Sequence, residues 1–165
     1  MRDSNTDAAV DAMALAKATA LTMYATEAAS RTLGVRIVDV APGRAMLTMP
    51  VRAEMINGHD ICHGGFIFAF ADSALAFASN SYNIRTVTAG STIDYLTPAY
   101  VGEVLTSVAS EQVRSGRSGV YDVVVSKEDG TCVALFRGKP RQIQGEVVPP
   151  TVNQATDQPM ETSHE

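Results

Sequence analysis

Between Asp60 and Arg85 the chain carries a single charged residue, Asp72, in the middle of its most apolar stretch, which runs from His63 through Phe66, Phe68, Phe70, Leu75 and Phe77 to Asn80. The segment from His63 to about Ser81 is too long for one strand and rich in Ala, Phe and Leu, so it reads as a helix. A helix that is apolar nearly all round must be covered on several sides. A membrane could cover it, but Asp72 near its centre would cost about 2.5–3.5 kcal/mol on insertion, and no basic cluster flanks it. A protein interior is the better solution. An ionised carboxylate taken out of water without a partner is costly, so a chain that keeps one there has a chemical use for it. Gly64 and Gly65, at the start of the helix, supply backbone N–H groups with no side chain in the way.

The rest of the chain supplies the cover. Thr86–Leu96, Glu103–Arg114, Gly119–Lys127 and Thr131–Lys139 are β-rich, separated by Pro98, Gly102, the Ser115–Gly119 turn and Asp129-Gly130. Asp-Gly between two such runs is a hairpin signal. Upstream, Val35–Val40 and Ala45–Val51 form another hairpin across Ala41-Pro42-Gly43-Arg44. Residues 4–32 are Ala-rich and read as one helix, with Ser4 and Asp7 as its capping pair and Gly34 as its stop. The expected fold class is α+β: a long central helix wrapped by an antiparallel sheet of about six strands. Its domains are an N-terminal helix (1–30), the helix-and-sheet unit (31–145) and an acidic tail (146–165) expected to be disordered. Such a sheet leaves an open edge, and a second copy that continues it is a natural completion.

The 165 residues are enough for one compact domain. A net charge of -5 argues against a nucleic-acid partner. The charge is uneven: residues 114–141 have a balance of +3 and residues 142–165 a balance of -4, and a local basic patch on an acidic protein suits a small phosphorylated ligand. Two cysteines, Cys62 and Cys132, do not make a disulfide framework and fit a reducing, cytoplasmic setting. Asp3, Asp7 and Asp11 near the start do not fit a signal peptide.

Six blocks of residues carry a resemblance. Met55-Ile-Asn-Gly-His-Asp-Ile-Cys-His-Gly-Gly65 is followed by Phe70-Ala-Asp-Ser-Ala74 and Asn80-Ser81; later come Ser91–Pro98, Ser115–Asp122 and Val133–Lys139. Together, at these spacings, they resemble the hotdog-fold acyl-CoA thioesterases, most closely the phenylacetic acid degradation branch, over about residues 30–145. The resemblance implies a hotdog fold in which two subunits pair their sheets edge to edge and dimers assemble into a homotetramer. It implies hydrolysis of an acyl-CoA thioester with no metal and no cofactor, coenzyme A being part of the substrate. The aryl- or phenylacetyl-like acyl group also comes from the resemblance.

Residue by residue, it implies that the Gly64 N–H polarises the thioester carbonyl, as helix N-terminal amides do for a developing oxyanion. The other reading of Gly64-Gly65 is tight helix–sheet packing. Asp72 is the expected base or nucleophile, with burial among Phe68, Phe70, Ala71 and Leu75 expected to raise its pKa. His63 would contact the thioester or orient the helix-start loop. Asn57 would position water or the same loop, though Asn-Gly is also an ordinary turn. Thr88 matches a hydroxyl near the catalytic acid. Arg114, Arg117, Arg137 and Lys139 are candidates for the CoA phosphates, or plain surface residues. Gly64 and Asp72 are eight residues apart, about 12 Å along one helix. They cannot act on one carbonyl from the same chain, so a shared thioester requires two chains. Two other functions fit the same residues: a hotdog hydratase or dehydratase, and a non-catalytic acyl-CoA-binding module.

Overall fold

The computed structural model describes residues 4–149. Two helices, α1 (Ser4–Thr26) and α2 (Ala28–Leu33), precede β1 (Arg36–Ala41) and β2 (Arg44–Pro50). A 3-10 turn at Ala53–Met55 leads to the long α3 (Gly64–Asn80), then β3 (Thr86–Tyr95), β4 (Val104–Ser115), β5 (Ser118–Ser126) and β6 (Cys132–Gln142). The six strands form one antiparallel sheet in the order β1-β2-β4-β5-β6-β3. The sheet curls round α3, which touches all six strands.

The single N-terminal helix expected from the sequence is broken at Glu27, whose backbone is extended. Arg31 donates to the carbonyls of Tyr24 and Ala25, which caps α1 from the following helix. Gly34, at φ 75°, ends α2 in the left-handed conformation that glycine adopts without cost. The Ser4–Asp7 capping pair falls on side chains that are not described, and residues 150–165 lie outside the described residues. Val147 and Val148 are still tied down, through the Asn83 side chain.

Alternation along the strands builds the core. β2 buries Ala45, Leu47 and Met49, β5 buries Tyr121, Val123 and Val125, and β6 buries Phe136. Phe70, Leu75 and Phe77 of α3 meet them with no exposed surface. Each such side chain contributes about 1.5–3 kcal/mol through burial. The helix packs tightly on the sheet at Gly138 of β6, where an added Cβ would collide with Leu75 and lie 2.9 Å from the Phe136 ring. Leu75 is fully enclosed and has nowhere to go. Gly138→Ala is therefore expected to destabilise the fold by about 1–3 kcal/mol, read as a lower urea midpoint at unchanged slope. An unchanged midpoint would mean that the packing here is looser than the geometry indicates.

β3, an edge strand, runs back along α3 and is tied to it at three levels. The Asn80 side chain holds both the N–H and the hydroxyl of Thr86. Thr88 reaches the middle of the helix and Tyr95 its beginning. A β-bulge between Thr88 and Gly90 makes this possible. The extra residue, Ala89, reverses the alternation of the strand, so that Thr88 and Tyr95 both face α3. The motif residues Asn80 and Ser81 thus have structural work: Ser81 accepts the Gly43 N–H of the β1–β2 turn and donates to Ala78.

Candidate active site

α3 begins at His63, whose extended backbone makes it the N-cap. Its Nδ1 accepts the Gly65 N–H at 2.9 Å, and its carbonyl accepts the Phe66 N–H. A neutral His63 therefore carries its ring proton on Nε2. With those two amides engaged, the Gly64 N–H is left without an acceptor among the described residues. It is the free donor at the positive end of the helix dipole. Of the two glycines, Gly64, the one to which the resemblance gives the donor role, is the one whose N–H is unengaged.

Gly64 also lines a cavity of about 370 Å³, mostly walled by apolar side chains including Ile61, Ile67, Leu96 and Pro98. Asn57 stands on its rim. The Asn57 Oδ1 accepts the His59 N–H, folding the 57–61 loop on itself. Cys62 shares the cavity wall; burial pushes its thiol up.

Asp72 sits two turns further along α3. It is half-buried, not buried. Phe70, about 200° round the helix from it, points into the sheet, as does Leu75, whereas Asp72 shares the open face of α3 with Gly65, Phe68 and Ala76. Phe68 is 36% exposed. The burial on which a raised pKa was expected is not provided by this chain alone. The Asp72 Oδ1 accepts a hydrogen bond from the Thr88 hydroxyl at 2.8 Å, which holds the carboxylate in one orientation and leaves its second oxygen free for a water or a carbonyl carbon.

The free amide donor thus stands at the apolar cavity, and the oriented carboxylate lies two turns further along the same helix. The thioesterase superfamily profile matches residues 59–134. The acyl-coenzyme A thioesterase PaaI of Escherichia coli is 41% identical over 125 residues, covering 76% of this chain and 89% of that protein. The chain belongs to the thioesterase superfamily.

It has the hotdog fold of that superfamily and is a thioester hydrolase. The solved E. coli PaaI protein, from the phenylacetic acid degradation operon, aligns with a TM-score of 0.80 at 40% identity, over 81% of this chain and 97% of its own. A mutant of the phenylacetic acid degradation protein PaaI from Thermus thermophilus aligns at 0.66 with 37% identity, over 69% and 97%. A Streptococcus mutans protein solved with acetyl CoA bound aligns at 0.65 with 25% identity, over 68% and 90%.

The basic residues of this thioesterase do not converge within one chain. The Arg114 guanidinium lies 3.8 Å over the Tyr82 ring, and Arg117 donates to the Gln142 carbonyl. Both lie beside Ser79 and Thr86, near the end of α3. Arg137 makes a bidentate pair with Asp122 that holds the carboxyl below its usual range. Arg137 and Lys139 alternate with the buried Phe136, Gly138 and Pro140, and so stand on the face of the sheet away from α3.

Tyr95 is the site residue that sequence reasoning passed over. Its hydroxyl donates to the Gly64 carbonyl at 2.8 Å, and it lines the same cavity. Its signal in the sequence, an aromatic residue at the end of a β-rich run, is shared by many core residues.

Proposed function

We propose that this protein is an acyl-CoA thioesterase acting on aryl- or arylacetyl-CoA, in a site made by two copies of the chain. The Gly64 N–H of one copy polarises the thioester carbonyl. Asp72 of the other takes a proton from an attacking water, or attacks the carbonyl carbon itself to give an anhydride that water then hydrolyses. The free Gly64 N–H at the cavity carries this reading. The carbon–sulfur bond breaks, coenzyme A leaves as the thiol and the acyl group as the free acid.

Three features support the shared site. Gly64 and Asp72 lie on one unbroken helix, about 12 Å apart. The α3 face that bears Asp72 is open, and β3 beside it is an unpaired edge with Val87 and Tyr95 about half exposed. A second copy pairing β3 to β3 would close the edge and cover that face together. Val124 and Leu135, exposed on the outer face of the sheet, give two such dimers a surface on which to form a tetramer.

Acetyl CoA in the S. mutans protein supports a coenzyme A ester as substrate, and the phenylacetic acid degradation relatives support a ring-bearing acyl group, which the apolar cavity walls suit. Arg114 and Arg117 are the cations on the α3 side for the CoA phosphates; Arg137 and Lys139 reach a substrate only from the other face of the sheet. His63 caps α3 with Nδ1 and meets no carboxylate among the described residues, which weighs against a hydratase built on a His–carboxylate pair.

A thiol-release assay over short, long and aromatic acyl-CoAs tests the proposal. Aromatic thioesters are expected to exceed the others in kcat/KM by about tenfold or more, the scale of discrimination an apolar pocket provides. Long-chain substrates turned over equally well would sink the aryl assignment, and water addition to enoyl-CoA without CoA release would sink the thioesterase itself.

A further inference from the structure

A Gly-Gly pair is a poor way to begin a helix. Each glycine loses more conformational freedom on ordering than any other residue, at a cost of about 0.5–1 kcal/mol relative to alanine. A first turn built on two of them frays readily, and a fraying turn lets the Gly64 N–H swing away from whatever it must hold. The structure contains a device against this. The peptide group joining Gly64 to Gly65 is held at both ends: its N–H donates to the His63 Nδ1 at 2.9 Å, and its oxygen accepts the Tyr95 hydroxyl at 2.8 Å. The ring of Tyr95 lies flush against the Gly64 backbone. A Cβ placed on Gly64 would come within 2.9 Å of the ring carbon that bears the hydroxyl, so the ring and the bare Cα fit only each other.

We propose that Tyr95 is a positioning residue for the oxyanion donor, clamping the first turn of α3 so that the Gly64 N–H faces the cavity. This rests on the reading of Gly64 given above. Tyr95 is well placed for it. It is the last residue of β3 and pairs with Ala134 of β6, whose small side chain leaves room on the inner face of the sheet. Desolvation pushes its phenol above the ordinary value, so the hydroxyl remains a donor at neutral pH. The hydroxyl contacts the backbone of the donor residue and need not touch the substrate. Its effect falls on the transition state, in which the oxyanion forms, more than on substrate binding.

The experiment compares Tyr95→Phe, which keeps the ring and removes the donor, with wild type. Three quantities are read: kcat and KM for the best aryl-CoA substrate, affinity for phenacyl-CoA (a thioether that cannot be hydrolysed), and amide hydrogen exchange of Gly65 and Phe66. The expected result is a kcat lower by about fivefold to tenfold, KM and phenacyl-CoA affinity within about twofold, and exchange at Gly65 faster by a similar factor. His63→Ala should speed exchange at the same amide. The double variant should lose less kcat than the product of the single losses, because both residues hold one peptide group. A raised KM with unchanged kcat would make Tyr95 a wall of the cavity only and overturn the proposal. Unchanged exchange at Gly65 would overturn it as well, whatever the kinetics. Were wild type to hydrolyse no thioester, the reading of Gly64 would fall and take the catalytic consequence with it, while exchange would still decide whether Tyr95 holds the turn.

Discussion

Asp72→Asn is expected to lower kcat for acyl-CoA hydrolysis by about 10²–10⁴-fold, the range lost when a positioned general base is removed, which corresponds to about 3–5 kcal/mol of transition-state stabilisation. Asparagine has nearly the shape of aspartate and keeps an oxygen to accept the Thr88 hydroxyl, which donates to Oδ1 at 2.8 Å in the native chain. It cannot take a proton from water or act as a carboxylate nucleophile. Asp72 lies on the open face of α3, half-buried and outside the Phe70–Leu75–Phe77 core, so the thermal midpoint and CoA affinity should stay close to wild type. That combination separates a chemical role from a structural one. A carboxylate kept for folding would lose stability on substitution and leave the kcat of the folded fraction intact. Asp72→Asn turning over aryl-CoA as fast as wild type would refute the assignment. Thr88→Val should give a smaller loss, about tenfold or less, because it frees the carboxylate to rotate without removing it.

The elements were legible in the sequence where local chemistry decides them. The Asp129-Gly130 and Pro42-Gly43 turns, the long apolar run and the alternating strands all lie within a few residues of the expected bounds. The environment of Asp72 was not. Its sequence neighbours are apolar, but a helix turns by about 100° per residue, so Phe70 and Ala71 face the sheet while Asp72 faces out. The hidden fact was which side of α3 the sheet covers, a property of the fold rather than of the segment. Tyr95 was hidden for a different reason. Strict alternation places residues 88 and 95 on opposite faces of a strand. One bulged residue, Ala89, brings both to α3; its one trace in Thr-Val-Thr-Ala-Gly-Ser is Gly90, a strand-interior glycine that a reading of the segment as a plain strand passes over. Glu27 likewise sits in an Ala-rich run with no breaker; the break there depends on Arg31 reaching back to the α1 carbonyls. That the Gly65 N–H is engaged while the Gly64 N–H is free depends on one cap, the His63 ring, which the sequence does not show.

Chains carrying Gly64→Pro and chains carrying Asp72→Asn, each inactive alone, are expected to regain about one quarter of wild-type activity when mixed and allowed to reassort. The figure follows from two-fold symmetry. Half of the reassorted dimers are hybrids. In each hybrid one site combines the intact Gly64 of one chain with the intact Asp72 of the other, and the second site has lost both. Proline suits the test because it deletes the N–H while remaining acceptable at the first position of a helix. His63, at φ -62° and ψ 131°, already has the extended conformation that a residue before proline requires. The substitution does bring a Cβ against the Tyr95 ring. Gly64→Ala therefore serves as the control: it adds the same Cβ and keeps the N–H, so its activity measures the displacement of Tyr95 alone. If Gly64→Ala is as inactive as Gly64→Pro, the clamp matters as much as the donor. If the mixed chains dimerise yet recover nothing, Gly64 and Asp72 do not meet across an interface. The 12 Å that separates them along α3 would then rule out a common thioester carbonyl, and one of the two would have to lose its assigned role.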